Sequence, residues 1–289
     1  MSQQKNKLKE NITSIVLCAG KGVRAKNFAI NIPKPLVKIE SLNDQPLISL
    51  ILDNLVKLKL DPIVVVTGYL GDQIEELLNS LQIKNQYGEK KIIIHNSGVR
   101  YKLGPLHSFL SITTNDRIFK TDKIFIVFPG DTLFDYKLLE VILDLLEENY
   151  SQAIHNSIIF YRKIRIDILM NRFGKDFSTY EENISYLKIR KKNSKAVVKE
   201  ISQKKLSSIS DKETINQIIP IFIFNNALVK KIKELANTVK FRTIREVVNL
   251  MIKKKECFFA LSVSPEYNFY DIDTPLDLQF LNAKKKDGQ

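Results

Sequence analysis

Residues 14–39 read SIVLCAGKGVRAKNFAINIPKPLVKI. Ile15-Val16-Leu17 is a short apolar run of the kind that forms a buried strand. It turns at once into Ala19, Gly20, Lys21, Gly22 and Arg24, small residues interleaved with fixed positive charge. The stretch then reaches Pro33-Lys34-Pro35-Leu36, a lysine held between two prolines. A strand that empties into glycines and cations suits phosphate, because backbone N–H groups in a tight turn and cationic side chains all present positive charge to one point.

Outward from that stretch, apolar runs and helical periods alternate. Residues 46–60 carry apolar side chains at 47, 48, 51, 52, 55 and 58, a helical period. Asp61-Pro62 stops that helix, and residues 63–67 (IVVVT) follow as a β-branched strand. The pattern predicts a helix over 72–81, a strand at 92–94, a helix over 105–113 with proline in its first turn, a strand at 124–128 and a helix over 138–148. Such alternation predicts a parallel sheet with right-handed crossovers. The second half is less regular. It predicts strands at 158–161, 186–189, 196–201, 218–224 and 257–263, and helices over 226–236 and 243–253. The strands at 186–189 and 196–201 would be joined by the polar turn Lys191-Lys192-Asn193-Ser194. Neither an internal repeat nor a clean linker divides the chain. The expectation is a single α/β three-layer domain with a mostly parallel sheet and a small lobe inserted at 155–240.

The composition, 44% hydrophobic and 27% charged over 289 residues, is that of a globular enzyme with a sizeable core. No run reaches the roughly 18 apolar residues of a membrane span. The opening residues MSQQKNKLKEN lack a signal peptide's apolar centre. Two cysteines far apart, Cys18 and Cys257, argue against a disulfide framework and against zinc, so a reduced, cytoplasmic protein is expected. The net charge of +13 sits mostly in the second half, in clusters such as Arg190-Lys191-Lys192 and Lys253-Lys254-Lys255. Without an RNA-binding aromatic signature, zinc-finger spacing or a long basic helix, these clusters read as solvated surface first, a phosphate-rich small ligand next and nucleic acid last.

Two readings compete for the glycine loop. Gly20-x-Gly22-x-x-Ala25 after a strand fits a relaxed dinucleotide fingerprint, the mark of an NAD(P)-dependent dehydrogenase. Against it, residues 26–35 (KNFAINIPKP) hold two prolines and two asparagines where a helix is required. Lysine and arginine in the loop also suit a triphosphate better than two diester phosphates. Asp131 follows a buried strand and Gly130, at the carboxyl edge of the sheet where open α/β folds bind ligands. Asp271 and Asp273 alternate with apolar residues before Thr274-Pro275, where Asp273 could equally serve as a helix N-cap. Carboxylates from distant segments converging beside a phosphate loop would hold Mg²⁺, which takes few carboxylates plus phosphate oxygens. His95, His107 and His155 match no ligand spacing, and Cys18 reads as a packing thiol.

Together these motifs resemble the nucleotidyltransferases of the sugar-1-phosphate type, with their glycosyltransferase-A-like, nucleotide-diphospho-sugar transferase fold. Leu17-Cys18-Ala19-Gly20-Lys21-Gly22-Val23-Arg24 and Pro33-Lys34-Pro35-Leu36 are similar to that family's phosphate loop and Pro-Lys-Pro-Leu. Leu103-Gly104-Pro105-Leu106 resembles its base-facing segment, Gly130-Asp131 its first metal aspartate, and Phe269-Tyr270-Asp271-Ile272-Asp273-Thr274-Pro275 its terminal motif. The resemblance implies transfer of a nucleoside monophosphate from an NTP to a phosphorylated acceptor, a sugar 1-phosphate first, with release of pyrophosphate. It implies nucleotide contacts at Leu17, Ala19, Gly20, Lys21, Gly22 and Gly104, and catalytic cations at Arg24 and Lys34. Asp131 and Asp271 become the Mg²⁺ ligands, and Lys204, from Gln203-Lys204-Lys205, the acceptor contact. Residues 12–150 would then bind the NTP, 155–240 the acceptor, and 241–289 would close the site with the second aspartate. Asp-Ile-Asp-Thr-Pro also resembles enzymes that guanylylate molybdopterin or cobinamide phosphate, and Asn96, Tyr101 and Ser108 resemble phosphocholine and inositol-phosphate cytidylyltransferases. Guanylyl or cytidylyl transfer to a cofactor, polyol or choline phosphate is therefore the alternative, with a non-catalytic nucleotide-binding protein behind it. The base, the acceptor and any homo-oligomer stay open.

Overall fold

The computed structural model describes residue 8 and residues 10–22, 31–80, 92–120, 123–172 and 183–287. The first half runs β1 (Ile12–Leu17), β2 (Lys38–Ile39), β3 (Gln45–Pro46), α1 (Leu47–Lys57), β4 (Ile63–Thr67), α2 (Gly71–Asn79), β5 (Ile92–Asn96), α3 (Pro105–Leu110), β6 (Ile124–Pro129), β7 (Thr132–Phe134), α4 (Tyr136–Glu148) and α5 (Tyr150–His155). The second half adds β8 (Ser157–Arg165), α6 (Ile166–Arg172), β9 (Asn183–Lys192), β10 (Lys195–Lys205), β11 (Thr214–Asn225), α7 (Asn226–Ala236), α8 (Ile244–Lys253), β12 (Phe258–Val263), β13 (Phe269–Asp271) and α9 (Pro275–Asp287).

A nine-stranded sheet in the order β5-β4-β1-β6-β11-β8-β12-β10-β9 forms the middle layer. Strand alternation distributes its side chains to two cores. Val16, Val65, Ile126 and Phe128 face one way, onto α1, α2 and α4 through residues such as Leu52, Ile74 and Leu138. Ile15, Val64, Val66, Phe125 and Val127 face the other way, onto α3, α7 and α8 through Phe109, Val229 and Val248. Because both faces are covered, the central strands are continuously apolar rather than alternating, which is why they stand out as runs in the sequence. Emptying one such position, as in Ile126→Ala, would cost about 2–5 kcal/mol.

Strands β5, β4, β1 and β6 are all parallel, as the alternation of the first half predicts. The sheet as a whole is mixed. β11 runs antiparallel to both β6 and β8, while β12 returns parallel to β8. The β11–β8 ladder slips between Ile218 and Phe222, around Pro220, which has no N–H to donate. A further pairing, Gln217 with Tyr186, brings β9 back onto β11, so β11, β8, β12, β10 and β9 form a closed circuit of pairings. The β9–β10 ladder runs through Lys191 and Lys192, which leaves only Asn193 and Ser194 as the turn, shorter than the four-residue turn expected. Both take positive φ, 47° and 64°, the two-residue geometry that suits the right-handed twist of a hairpin.

A small separate core lies under this part of the chain: Ile164, Ile166, Leu169, Ile184, Leu206, Ile209 and Ile215. The helix caps follow local sequence closely. Asn225 accepts from Leu228 N to start α7, and Thr243 with Glu246 forms a complete capping box on α8.

Candidate active site

β1 lies between β4 and β6, so the connections from it leave in opposite directions and a crevice opens at the carboxyl ends of these strands. A cleft of about 390 Å³ occupies that position, lined by Leu17, Ala19, Gly20, Gly22, Lys34 and Asp131 among others. Six residues expected to form the site therefore meet there. The loop after β1 is pinned from both sides, with Cys18 N donating to Val66 O at 2.8 Å and Gly130 N to Leu17 O at 3.0 Å. A Cβ on Gly130 would stand 2.6 Å from Cys18 Sγ and from Leu17 O, so only glycine lets the loop before Asp131 come this close. Gly22 has φ +58°, and a Cβ there would press on the Lys34 side chain at 3.0 Å. The second glycine thus makes room for the lysine.

Lys34 opens a 3-10 turn, Lys34–Leu36, between Pro33 and Pro35, and it is 8% exposed. Its Nζ donates to Asp131 Oδ2 at 3.3 Å and to Asp273 Oδ1. Burial pulls the ammonium pKa down, and the carboxylates of Asp131 and Asp273 outweigh it, so the pKa lies above its ordinary value. The lysine stays charged.

Asp131 and Asp271 are brought side by side by a short two-stranded sheet. β7 pairs antiparallel with β13, Thr132 opposite Asp271, and Ile272 N donates to Asp131 O at 2.9 Å. The Thr132 hydroxyl donates to Asp271 Oδ1. Asp271 remains in contact with solvent as a residue. Its carboxyl is nevertheless pushed up to about 7, chiefly by the dense protein around it; the Thr132 hydrogen bond opposes this, while the charges of Asp131, Asp273 and Asp277 add to it.

Asp273 does not cap α9. Thr274 does: its Oγ1 accepts from Asp277 N at 3.3 Å, and Asp277 Oδ2 accepts from Thr274 N at 2.7 Å and from Asp273 N at 3.0 Å. That leaves the Asp273 carboxylate to hold Lys34.

The remaining expected residues are placed differently. Lys21 lies 5.4 Å from the ring centroid of Tyr69 and does not line the cleft. Gly104 packs against the carbonyl of Arg242, which accepts from Leu106 N at 3.3 Å, and its neighbour Pro105 lines the cleft. Lys204 is not among the lining residues; it pairs with Glu213 at 3.2 Å and lies 5.9 Å from the ring centroid of Tyr186. Arg24 falls outside the described residues.

Cys18 is buried, and burial together with Asp131 raises its thiol pKa far above the ordinary value, so it packs as a neutral group. His95 meets Ser111 Oγ at 2.9 Å and His107 meets Phe241 O at 2.9 Å, both away from the carboxylates. Sequence reasoning missed Pro220, Phe222 and Ile244 as cleft residues, and apolar residues inside a strand and a helix carry no local signal for that. It also missed the Asp273–Lys34 contact; the signal available was a second carboxylate one strand period after Asp271.

The arrangement is a phosphate-sized loop facing a buried ammonium and paired carboxylates. Among the described residues no three metal-ligating side chains gather into one cluster. Two carboxylates, Asp131 just before β7 and Asp271 at the end of β13, one of them raised by burial and by its acidic neighbours, do fit a hard divalent cation that takes its other ligands from phosphate and water.

A family model described as the MobA-like NTP transferase domain matches residues 14–249. The chain is 28% identical over 133 residues to a D-glycero-alpha-D-manno-heptose 1-phosphate guanylyltransferase of Campylobacter jejuni, covering 45% of this chain and 52% of that protein. It is 22% identical over 270 residues to the bifunctional protein GlmU of Carboxydothermus hydrogenoformans, covering 91% of this chain and 50% of that one. The chain thus spans about half the length of these curated relatives. A solved structure of UDP-glucose pyrophosphorylase complexed with UDP-glucose superposes with a TM-score of 0.65 at 15% identity, over 95% of this chain and 98% of that one, and shares the fold.

Proposed function

The chain belongs to the MobA-like NTP transferase domain family, and we propose that it transfers a nucleotidyl group from an NTP to a sugar 1-phosphate, releasing pyrophosphate. The observation that carries this reading is the Lys34 ammonium, fixed between Asp131 and Asp273 beside a glycine loop at the carboxyl edge of the sheet. The guanylyltransferase named above acts on a sugar 1-phosphate, which favours that acceptor class over polyol, choline or cofactor phosphates.

In the reaction an acceptor phosphate oxygen attacks the α-phosphorus of the NTP, the bond to the β-phosphate oxygen breaks, and pyrophosphate leaves. No protein nucleophile is needed, so catalysis rests on positioning and charge. Backbone N–H groups from Ala19 to Gly22 cradle the phosphates, with Leu17 and the Gly104 segment flanking the nucleoside. Arg24 grips the β- and γ-phosphates. Lys34 stands at the α-phosphate, where an incoming ligand competes with Asp131 and Asp273 for its ammonium. Asp131 and Asp271 would hold Mg²⁺, which would supply charge neutralisation to the reacting phosphates. The segment 155–240, which packs mostly into the two main cores and adds a small core around Ile164, Leu206 and Ile215, receives the acceptor; Lys204 serves there only if its contact with Glu213 opens.

A pyrophosphate-release screen of four NTPs against sugar, polyol, choline and cofactor phosphates tests the proposal. Release with one NTP and a sugar 1-phosphate is expected. Release only with another phosphate class would move the acceptor, and NTP binding without release from any pair would reduce the protein to a nucleotide binder.

A further inference from the structure

A second cavity, of about 350 Å³, lies away from the cleft, between the β9–β10 hairpin, the start of β12 and the C-terminal end of α8. It lies where the circuit of strands is thinly joined. β10 and β12 share a single register pair, Val197 with Phe259. β10 also carries a bulge between Val198 and Glu200 in its ladder with β9. Beyond that one pair, no register pair joins β10 to β12 among the described residues.

Its walls are chemically divided. Val197, Val198 and Phe258 are buried and apolar, while Arg190, Lys192 and Lys255 are exposed cations on the same cavity. The single lining carboxylate, Glu256, is taken by Lys231 at 2.6 Å. Among the described residues, none of the three cations has a side-chain hydrogen bond or ion pair. Lys255 also occupies a backbone position that favours glycine. It follows α8 with φ +68°, its N donating to Ile252 O and Glu256 N donating to Met251 O, both at 3.0 Å, in the motif that normally ends a helix with glycine. The chain therefore places a cation there against its own conformational preference.

We propose that this cavity binds a phosphorylated small molecule, its phosphate held by Arg190, Lys192 and Lys255 and its carbon portion set against Val197, Val198 and Phe258. Three cations around one concavity with an apolar wall suit a compact ligand; an extended polyanion calls for a basic stripe. The proposal is independent of the transfer reaction, since its test measures no turnover.

The test is calorimetric titration of the full chain with ribose 5-phosphate at low ionic strength, in the wild type and three variants, each with a thermal melt. Lys34→Ala, which alters the cleft, is expected to keep one saturable site. Arg190→Glu/Lys192→Glu is expected to lose affinity about tenfold or more, because two attractions become repulsions within one Debye length. Lys255→Gly is expected to bind about threefold more weakly yet melt at a higher temperature, because glycine relieves the left-handed backbone. Weaker binding by a more stable protein separates loss of the cation from loss of the fold. Binding indifferent to Arg190, Lys192 and Lys255, binding abolished by Lys34→Ala, or no saturable binding overturns the proposal.

Discussion

Lys34 and Lys204 both face carboxylates, in the two halves of the molecule. The first is 8% exposed, against partners that are 39% and 15% exposed; the second is 41% exposed, against a Glu213 that is 40% exposed. Lys34 is reached by carboxylates from two segments far away in the chain, whereas Lys204 meets Glu213 within one lobe. Burial strengthens the attraction within the first pair and raises the cost of leaving either partner alone. Water weakens the second. The difference teaches that the cleft has built its electrostatics into the fold, while the lobe has left its charge adjustable.

The comparison breaks most easily at the cleft. Lys34→Ala or Asp131→Asn should lower turnover by about 10²–10³, measured by pyrophosphate release, in line with loss of one transition-state contact. Turnover close to wild type would place the chemistry elsewhere.

A second test separates two adjacent residues. Asp273→Asn should lower turnover roughly tenfold, less than Asp131→Asn because Asp131 still holds the ammonium. Its melting curve should show that α9 keeps its start. Thr274→Ala should do the reverse, costing about 1 kcal/mol of stability through loss of the cap while turnover changes little.

In the lobe the expected effects shrink. Glu213→Gln should change stability by less than about 0.5 kcal/mol in urea titrations. Lys204→Ala should raise the acceptor KM no more than several-fold, through loss of a cation that must first leave Glu213, and an unchanged KM would take Lys204 out of the acceptor site.

Smallest is a pH effect at the other edge of the sheet. His95, on β5, has its pKa lowered by burial, with the Ser111 contact opposing and Arg100 reinforcing that direction. A depressed folded pKa means that the unfolded chain takes up the proton first, so stability is whole above the ordinary value of 6.5 and declines as pH falls toward and through the folded value. The His95 contribution is read as the difference between wild type and His95→Gln in unfolding measured from pH 7 to 5, because the Asp271 carboxyl, pushed up to about 7, adds a slope of opposite sign to both proteins.

Much of the first region was legible because its rules are local. Buried parallel strands write themselves as apolar runs, and helices as an apolar period; even in the second half α7 and α8 begin within a residue of the expected 226 and 243. The motif residues Gly20, Gly22, Lys34 and Asp131 likewise meet where the strand ends said they would. What was hidden depends on pairing across the chain. The return of β9 to β11 through Gln217 and Tyr186 has no local signature. Neither has the short β7–β13 ladder that delivers Asp273 to Lys34. The sequence offered Asp273 as the cap of α9, and only the hydrogen bonds of Asp277, at the third helical residue, show that Thr274 takes that place.

The prolines on either side of Lys34 carry a consequence of their own. Pro33 holds φ at −66° and Pro35 follows directly, so this turn has little conformational freedom to lose when the ammonium is aligned. Ordering has been done by ring closure, before any ligand arrives. In Pro35→Ala every charge would stay and the lysine would regain its wandering, so the loss should appear in the activation entropy of turnover, read from its temperature dependence, with the activation enthalpy nearly unmoved.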